Sequence, residues 1–235
     1  MALIIKSTKE VVSNGIKCLL FGQSGSGKTR LSATLPGKTL ILSAEAGLLS
    51  LREFDIDSIA ITSIAELRDA YTFIASEEGN KYDNIVLDSL SEIAEQVLSY
   101  ELANSKDGRA AYGELAKQMT ALTKAFRDMQ GKNVMCIAKA ERSKDDITGA
   151  MLYSPSFPGQ KLTTDIPYLF DEIMYLHAIR DNETNEVKRY LQTSADNRIQ
   201  AKDRSGALDQ FENADMSEII SKINARTGEL KKGGK

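Results

Sequence analysis

The stretch Gly22-Gln23-Ser24-Gly25-Ser26-Gly27-Lys28-Thr29 matches the pattern G-x-x-x-x-G-K-[ST] at every required position. It follows an apolar run typical of a β-strand and opens a run with helical periodicity, which is the context in which this pattern binds phosphate. Its glycines allow a tight turn whose N–H groups point at phosphate oxygens, and the start of the following helix adds partial positive charge. The sequence therefore predicts a nucleotide-binding loop.

Two side chains of this loop have predictable tasks. We expect Lys28 to reach the β- and γ-phosphates of a nucleoside triphosphate and the Thr29 hydroxyl to ligate Mg²⁺. ATP and Mg²⁺ are therefore the expected cofactors. The residues predicted to bind the nucleotide are Gly22, Gln23, Ser24, Gly25, Ser26, Gly27, Lys28, Thr29 and Arg30.

A carboxylate that could complete the metal site is Asp88, at the end of the apolar run 84–88. A strand buried on both faces would hold it beside the Mg²⁺ at the carboxyl edge of a parallel sheet, where ligands bind in open α/β folds. Asp83 is the competing candidate, but it precedes the run and is expected at the opposite edge. An Asp at the end of a strand is also a common helix N-cap, so the metal role depends on the neighbouring loop.

Glu45 follows the second apolar run, 40–44, and would lie on the same sheet edge as the loop and Asp88. There it could orient or deprotonate the attacking water, which is a catalytic role. A solvated loop carboxylate fits the spacing equally well.

Short apolar runs alternate with longer amphipathic stretches up to about residue 162, a rhythm typical of βαβ units. The sequence thus predicts an α/β fold with a mostly parallel, twisted β-sheet flanked by helices, followed by a C-terminal β-hairpin at 172–180 and 187–194. The predicted strands are 16–21, 39–43, 58–62, 84–88, 133–138 and 199–201, and the predicted helices are 27–35, 64–76, 90–103, 111–130 and 216–224.

Local signals also predict where these elements begin and end. Ser63 and Glu66 form a capping box, and Gly131 is placed to cap the helix before it in the left-handed conformation. The chain shows no internal repeat and no Pro/Gly-rich boundary, so a single domain is expected over 1–225. The basic segment 226–235 is predicted to be a disordered tail.

The composition is that of an ordinary globular protein, 42% hydrophobic and 27% charged, with a net charge of −3. This acidic balance excludes a chain that coats nucleic acid by bulk charge. No run approaches the roughly 18 apolar residues of a membrane span, and the N-terminus lacks a secretory pattern, so we expect a cytoplasmic protein without membrane contact. Cys18 and Cys136 are expected to be buried thiols, and His177 a structural histidine. Zinc is not indicated, because no Cys/His cluster has metal-ligand spacing.

The loop, Glu45 and the Asp88 strand, in this order, resemble the RecA-type ATPase core over residues 16–205. Residues 43–48 resemble the segment that carries the family's catalytic glutamate, and 85–90 resemble its Walker B strand. Because about 15 residues precede the first predicted strand, we expect no N-terminal polymerisation helix of the RecA kind. Such a core is similar to the RecA-like single-strand annealing proteins of bacteriophages, the Sak-type group. The resemblance implies DNA recombination by annealing, ATP binding and cooperation with a single-strand-binding protein.

Residues 201–206, Ala-Lys-Asp-Arg-Ser-Gly, resemble the Lys-x-Arg-x-Gly segment of DnaB-type helicases, which share the RecA core. In that family both cations reach the γ-phosphate held by a neighbouring subunit, where they stabilise transition-state charge. The resemblance implies catalytic roles in trans for Lys202 and Arg204, and a homo-oligomer in the form of a ring or filament. A solvated basic turn is the competing interpretation.

The resemblance also implies two DNA-facing loops, at about 103–112 and 139–161. Cations that follow phosphates and rings that stack on bases suit a single strand, and long irregular loops are usually functional. Acidic neighbours, among them Asp145 and Asp146, offset most of the positive charge. Lys139 stands where RecA has a glutamine, which leaves open whether it contacts phosphate or DNA. The candidate DNA-binding residues are Lys106, Arg109, Tyr112, Lys139, Arg142, Lys144, Tyr153, Phe157 and Lys161.

Other functions remain open. A helicase-like or helicase-loading ATPase would use the same core, and a nucleotide-gated switch would bind ATP with little hydrolysis. A small-molecule kinase is disfavoured, because no segment has the arginine density of a kinase lid. The favoured function is a DNA-stimulated ATPase that binds single-stranded DNA, with an affinity that falls steeply as salt rises.

Overall fold

The computed structural model describes residues 14–45, 47–144 and 149–232, with the backbone alone for 227–232. Strands and helices alternate along this part of the chain. The strands are β1 Lys17–Gly22, β2 Thr39–Ser43, β3 Asp57–Ala60, β4 Asn84–Asp88, β5 Asn133–Lys144, β6 Met151–Ser156, β7 Glu172–Arg180, β8 Val187–Gln192, β9 Lys202–Asp203 and β10 Phe211–Asn213. The α-helices are α1 Lys28–Leu31, α2 Ile64–Ile74, α3 Leu90–Asn104, α4 Gly108–Arg127, α5 Gln160–Tyr168 and α6 Met216–Lys232.

All strands belong to one mixed sheet, in the order β10-β8-β7-β1-β5-β4-β2-β3. The pairs from β7 to β3 are parallel, while β8, β10, β6 and β9 pair antiparallel. Strand β5 lies between β1 and β4, so the strand before the nucleotide-binding loop and the strand ending at Asp88 are not neighbours. The predicted α/β fold with a mostly parallel sheet flanked by helices is confirmed.

The central strands are buried on both faces, as their continuous apolar runs require. One face packs against α2 to α5 and the other against α1 and α6, which gives two hydrophobic cores. Cys18 and Cys136 are buried and unpaired, one in each core. In the described residues, no helix has the length and apolar character that crossing a membrane requires.

Local capping signals hold with small shifts. The Ser63 hydroxyl accepts a hydrogen bond from the Glu66 N–H at 3.2 Å, while the Glu66 carboxylate accepts one from the N–H of Thr62 at 2.6 Å instead of Ser63. Gly131 has the expected positive φ of 69°. It lies in the turn that follows α4, because the helix already ends at Arg127.

Five predicted strands and the C-terminal hairpin lie within a few residues of their observed positions. The strand predicted at 199–201 is wrong: Ile199 makes an isolated bridge to Tyr153, and β9 forms at Lys202–Asp203. Helix α6 continues to Lys232, into the segment 226–235 predicted to be a disordered tail.

The expectation of a long irregular loop at 139–161 is also wrong. Strand β5 continues to Lys144 and pairs with β6, so this segment forms a β-hairpin, and α5 begins at Gln160. Residues 145–148, with Asp145 and Asp146, lie outside the described residues. The first expected loop is likewise short, because α3 extends to Asn104 and α4 begins at Gly108.

Candidate nucleotide-binding site

The predicted nucleotide-binding loop lies at the carboxyl edge of β1 and borders a cavity of about 580 Å³. Gly27 has a φ of 101°, which favours glycine, and a Cβ on Gly22 would lie 2.9 Å from the carbonyl oxygen of Leu176. The loop can therefore take this shape only with these glycines. Glu45, Asp88, Ser89, Lys139 and Arg189 also border the cavity.

Thr29 and Asp88, the two predicted metal ligands, are in direct contact. The Thr29 hydroxyl donates a hydrogen bond to Asp88 Oδ2 at 2.6 Å. Asp88 is buried, and burial raises the pKa of its carboxyl group, with the hydrogen bond from Thr29 opposing that rise. A cation at this position would relieve the cost of a buried carboxylate.

Lys28 is folded back onto its own loop. Its ammonium group donates to the carbonyl oxygens of Gly22 and Gln23, both at 2.9 Å. Burial lowers the pKa of Lys28, while the nearby carboxylates of Glu45 and Asp88 raise it. A triphosphate would supply the anion that this cation lacks.

Glu45 lies on the same sheet edge, next to the end of β4. Its carboxylate accepts a hydrogen bond from the Ser89 hydroxyl at 2.5 Å, and its N–H donates to the carbonyl oxygen of Asp88 at 3.3 Å. Asp83, by contrast, accepts a hydrogen bond from the N–H of Lys38 at 2.7 Å, before β4 begins. The structure thus brings Glu45 and Asp88 to the loop and places Asp83 at the other end of the strand.

These residues fit a Mg²⁺–nucleotide complex. Within the described residues, no group of three or more His, Cys, Asp or Glu side chains could hold a metal ion alone. Mg²⁺ characteristically takes one or two protein ligands together with substrate phosphates and water. Thr29 and Asp88 are enough protein ligands for an ion of that kind.

Arg30 follows the loop and points away from the metal site. Its guanidinium group forms an ion pair with Glu53 at 2.5 Å and lies 5.3 Å from the centre of the Phe54 ring. Arg30 still borders the nucleotide cavity.

Arg189 is the residue at this cavity that sequence reasoning missed. It lies on β8, and its Nε donates to the carbonyl oxygen of Ser26 at 2.8 Å. The signal for it is pairing between distant strands, which a local pattern does not contain.

Lys202 and Arg204 lie at the opposite edge of the sheet. Strand β9 pairs with the beginning of β7, where Ile173 faces Lys202. The Lys202 ammonium donates to the carbonyl oxygen of Pro167 at 3.2 Å, and Arg204 forms an ion pair with Asp171 at 3.2 Å. Neither residue borders the nucleotide cavity of its own chain, so their catalytic role in trans stays a prediction.

The candidate DNA-binding residues of the first segment lie at the start of α4. Lys106 and Arg109 are exposed, and Tyr112 is 45% exposed. The Tyr112 ring packs over Gly159, where a Cβ would lie 3.1 Å from the ring. The first segment and the end of the second therefore meet in space.

The candidates of the second segment divide into exposed and buried residues. Arg142 and Lys144 are exposed on the hairpin, with the Arg142 guanidinium 5.9 Å from the centre of the Tyr153 ring. Lys161 lies on α5, 3.9 Å from Asp165. Phe157 is only 5% exposed and belongs to the core, so its expected stacking on a base is not possible in this structure.

His177 has structural contacts, as expected. Its Nε2 lies 2.9 Å from the side-chain oxygen of Gln192, and its ring stacks on Tyr190 with the ring centres 4.4 Å apart.

The loop, the buried Asp88 and the parallel sheet together define a P-loop NTPase. Residues 14–205 match the family model described as an AAA domain. The chain therefore belongs to the AAA domain family and is a nucleotide-binding ATPase domain of the RecA-like superfamily.

Comparison with individual proteins adds little to this assignment. No curated protein matches the chain. Among solved structures, the KaiC-like protein PH0186 from the hyperthermophilic archaeon Pyrococcus horikoshii OT3 is similar, with 16% identity, a TM-score of 0.45, and coverage of 76% of this chain and 78% of that chain.

Proposed function

We propose that this protein binds ATP and single-stranded DNA and promotes the annealing of complementary strands in recombination, with Mg²⁺-dependent ATP hydrolysis. The observation that carries the proposal is the position of Lys139. This residue borders the nucleotide cavity and also begins the part of β5 that pairs with β6. A nucleotide and a DNA strand on the hairpin would therefore be one residue apart along β5.

The first turn of α3 connects the two places. Ser89, the N-cap of α3, donates to Glu45, and Glu92 in the first turn forms an ion pair with Lys139 at 2.7 Å. Ser91 accepts a hydrogen bond from the N–H of Lys139 at 2.9 Å and donates to the carbonyl oxygen of Ser156 on β6 at 2.7 Å. A phosphate that attracts Lys139 would compete with Glu92 and alter the base of the hairpin.

The hairpin itself has side chains suited to a single strand. Arg142 and Lys144 are exposed cations, and Tyr153 offers a half-buried ring beneath Arg142. Cations of this kind follow the phosphates, and an aromatic ring stacks on bases of any sequence. The proposed partners are single-stranded DNA and a single-strand-binding protein.

Oligomerisation is part of the proposal. Lys202 and Arg204 lie at the sheet edge opposite their own nucleotide cavity. In a ring or filament, a neighbouring subunit could place its cavity against that edge, so that the two cations act in trans.

The test is retention of a labelled single-stranded oligonucleotide, with and without a slowly hydrolysed ATP analogue, followed by an annealing assay. The variant Arg142→Ala/Lys144→Ala removes two hairpin cations, and Lys117→Ala/Lys124→Ala removes two exposed cations of α4 as a matched control. We expect DNA affinity to fall about 10-fold or more in the hairpin variant alone, and the salt slope to decrease by about 1.

The control also shows what would contradict the proposal. An equal loss in both variants would mean that bulk charge holds the DNA. A wild-type protein that retains no DNA at low salt would leave a nucleotide-gated switch or a loading ATPase.

A further inference from the structure

Arg189 lies over the nucleotide-binding loop of its own chain, and no role described above uses it. Its Nε donates to the carbonyl oxygen of Ser26 at 2.8 Å. A Cβ on Gly27 would lie 2.9 Å from the same Nε, so the side chain occupies the space that the glycine leaves open.

The pairing of distant strands brings Arg189 to this place. Arg189 on β8 faces Ala178 on β7, and β7 pairs with β1, which leads into the loop. Directly paired residues of an antiparallel ladder share a face. Arg189 and its strand neighbour Leu191, two residues on, therefore point to the side of the sheet where Leu191 packs in the core with α1.

The guanidinium group is available for a ligand. Its fork carries five N–H donors, of which one reaches Ser26. No ion pair of the described residues includes Arg189, whereas Arg30 pairs with Glu53 at 2.5 Å and Lys139 with Glu92 at 2.7 Å. Arg189 is exposed on the cavity that holds Lys28 and Asp88.

A second cavity, of about 430 Å³, adjoins the first along α1. Gly27, Arg30 and Arg189 border both cavities, while Asp88 and Glu45 border the first. Arg189 is thus on the side of the loop away from the predicted site of hydrolysis.

We propose that Arg189 is a nucleotide-binding residue that acts in cis, with its terminal nitrogens donating to a phosphate that ATP and ADP share. The Nε bond to Ser26 orients the guanidinium group, and its planar fork suits two phosphate oxygens. The inference rests on the proposed nucleotide binding and is independent of DNA. It differs from the role in trans of Arg204, because it requires no neighbouring subunit.

The experiment is calorimetric titration of wild type and variants with ADP and with a slowly hydrolysed ATP analogue, each with Mg²⁺. Arg189→Ala removes the group, and Arg189→Gln keeps a donor for the Ser26 carbonyl without the charge. Lys188→Ala is the matched control, because Lys188 points to the other face and pairs with Asp181 at 3.4 Å. Lys28→Ala is the benchmark for loss of binding, and circular dichroism establishes that each variant is folded.

We expect Arg189→Ala and Arg189→Gln to weaken both nucleotides by a similar factor, about 10-fold or more, with Lys188→Ala unchanged. Binding as in wild type for Arg189→Gln would overturn the inference, because the side chain would then only support the loop. Tighter binding by Arg189→Ala would overturn it as well, and so would a loss confined to the ATP analogue. Failure of the wild-type protein to bind either nucleotide would instead overturn the proposed function, and the inference with it.

Discussion

The Thr29 hydroxyl donates a hydrogen bond to Asp88 Oδ2 at 2.6 Å, although the two residues are 59 positions apart. They lie after β1 and at the end of β4, two strands that are separated by β5. The contact closes the carboxyl edge of the sheet around the position where Mg²⁺ is expected. Four predictions test the chemistry of this edge and of the opposite one.

Asp88→Asn is expected to remove the stimulation of nucleotide binding by Mg²⁺ and to lower ATP hydrolysis on the order of 100-fold, because an amide does not neutralise the cation. Nucleotide titrations with Mg²⁺ and with EDTA measure the first effect. Asp83→Asn, the same change before the same strand, serves as the control. Equal effects of both variants would argue against a metal role for Asp88.

Glu45→Gln is expected to slow hydrolysis by about 10²- to 10⁴-fold while nucleotide affinity stays close to that of wild type. The amide keeps an acceptor for the Ser89 hydroxyl but cannot take a proton from water. Single-turnover hydrolysis and equilibrium binding separate the two quantities. Glu77→Gln, at an exposed site away from the cavity, is the control, and loss of binding in Glu45→Gln would contradict the proposed general base.

Arg204→Ala is expected to abolish ATP turnover with nucleotide binding intact, because the proposed partner of Arg204 is the γ-phosphate of a neighbouring subunit. Mixing this variant with Lys28→Ala provides a sharper test. Mixed oligomers contain interfaces with an intact loop on one side and an intact arginine on the other, so part of the activity should return. Arg198→Ala is an exposed control. No recovery in mixtures that are shown to co-assemble would contradict the action in trans.

Glu172 predicts a pH dependence of stability. It is 2% exposed, and burial, together with nearby Asp203 and Asp171, raises the pKa of its carboxyl group to about 8 from 4.5. The unfolded chain releases this proton at lower pH than the folded one. The contribution to the free energy of unfolding is therefore complete below about pH 4.5 and is lost as the pH rises to about 8.

The measurement is urea unfolding between pH 5 and 8, for wild type and Glu172→Gln. The variant should show a flatter dependence, because a neutral amide replaces the carboxyl group; each pKa unit corresponds to about 1.4 kcal/mol. The range stops at pH 8 because burial lowers the pKa of Lys17 to about 8, and that group acts in the opposite direction above it. Identical slopes for both proteins would contradict the raised pKa.

Local patterns in the sequence determined the nucleotide-binding loop and the five parallel strands near β1. The loop is a contiguous motif, and a strand buried on both faces must be a continuous apolar run. Parallel pairing also puts the ends of such strands at one edge. The position of Asp88 beside Thr29, and that of Asp83 at the opposite edge, could therefore be expected from residue order alone.

Only the tertiary structure decided what lies around that edge. The segment 139–161 contains prolines and glycines that suggested an irregular loop, yet Pro155 pairs with Ala140 in a hairpin, and Phe157 is buried in the core. Arg189 reaches the loop, and Arg204 is held at the far edge, through pairings between strands remote in sequence. Local patterns contain propensity and burial, whereas the identity of the neighbour across a ladder depends on how the whole chain packs.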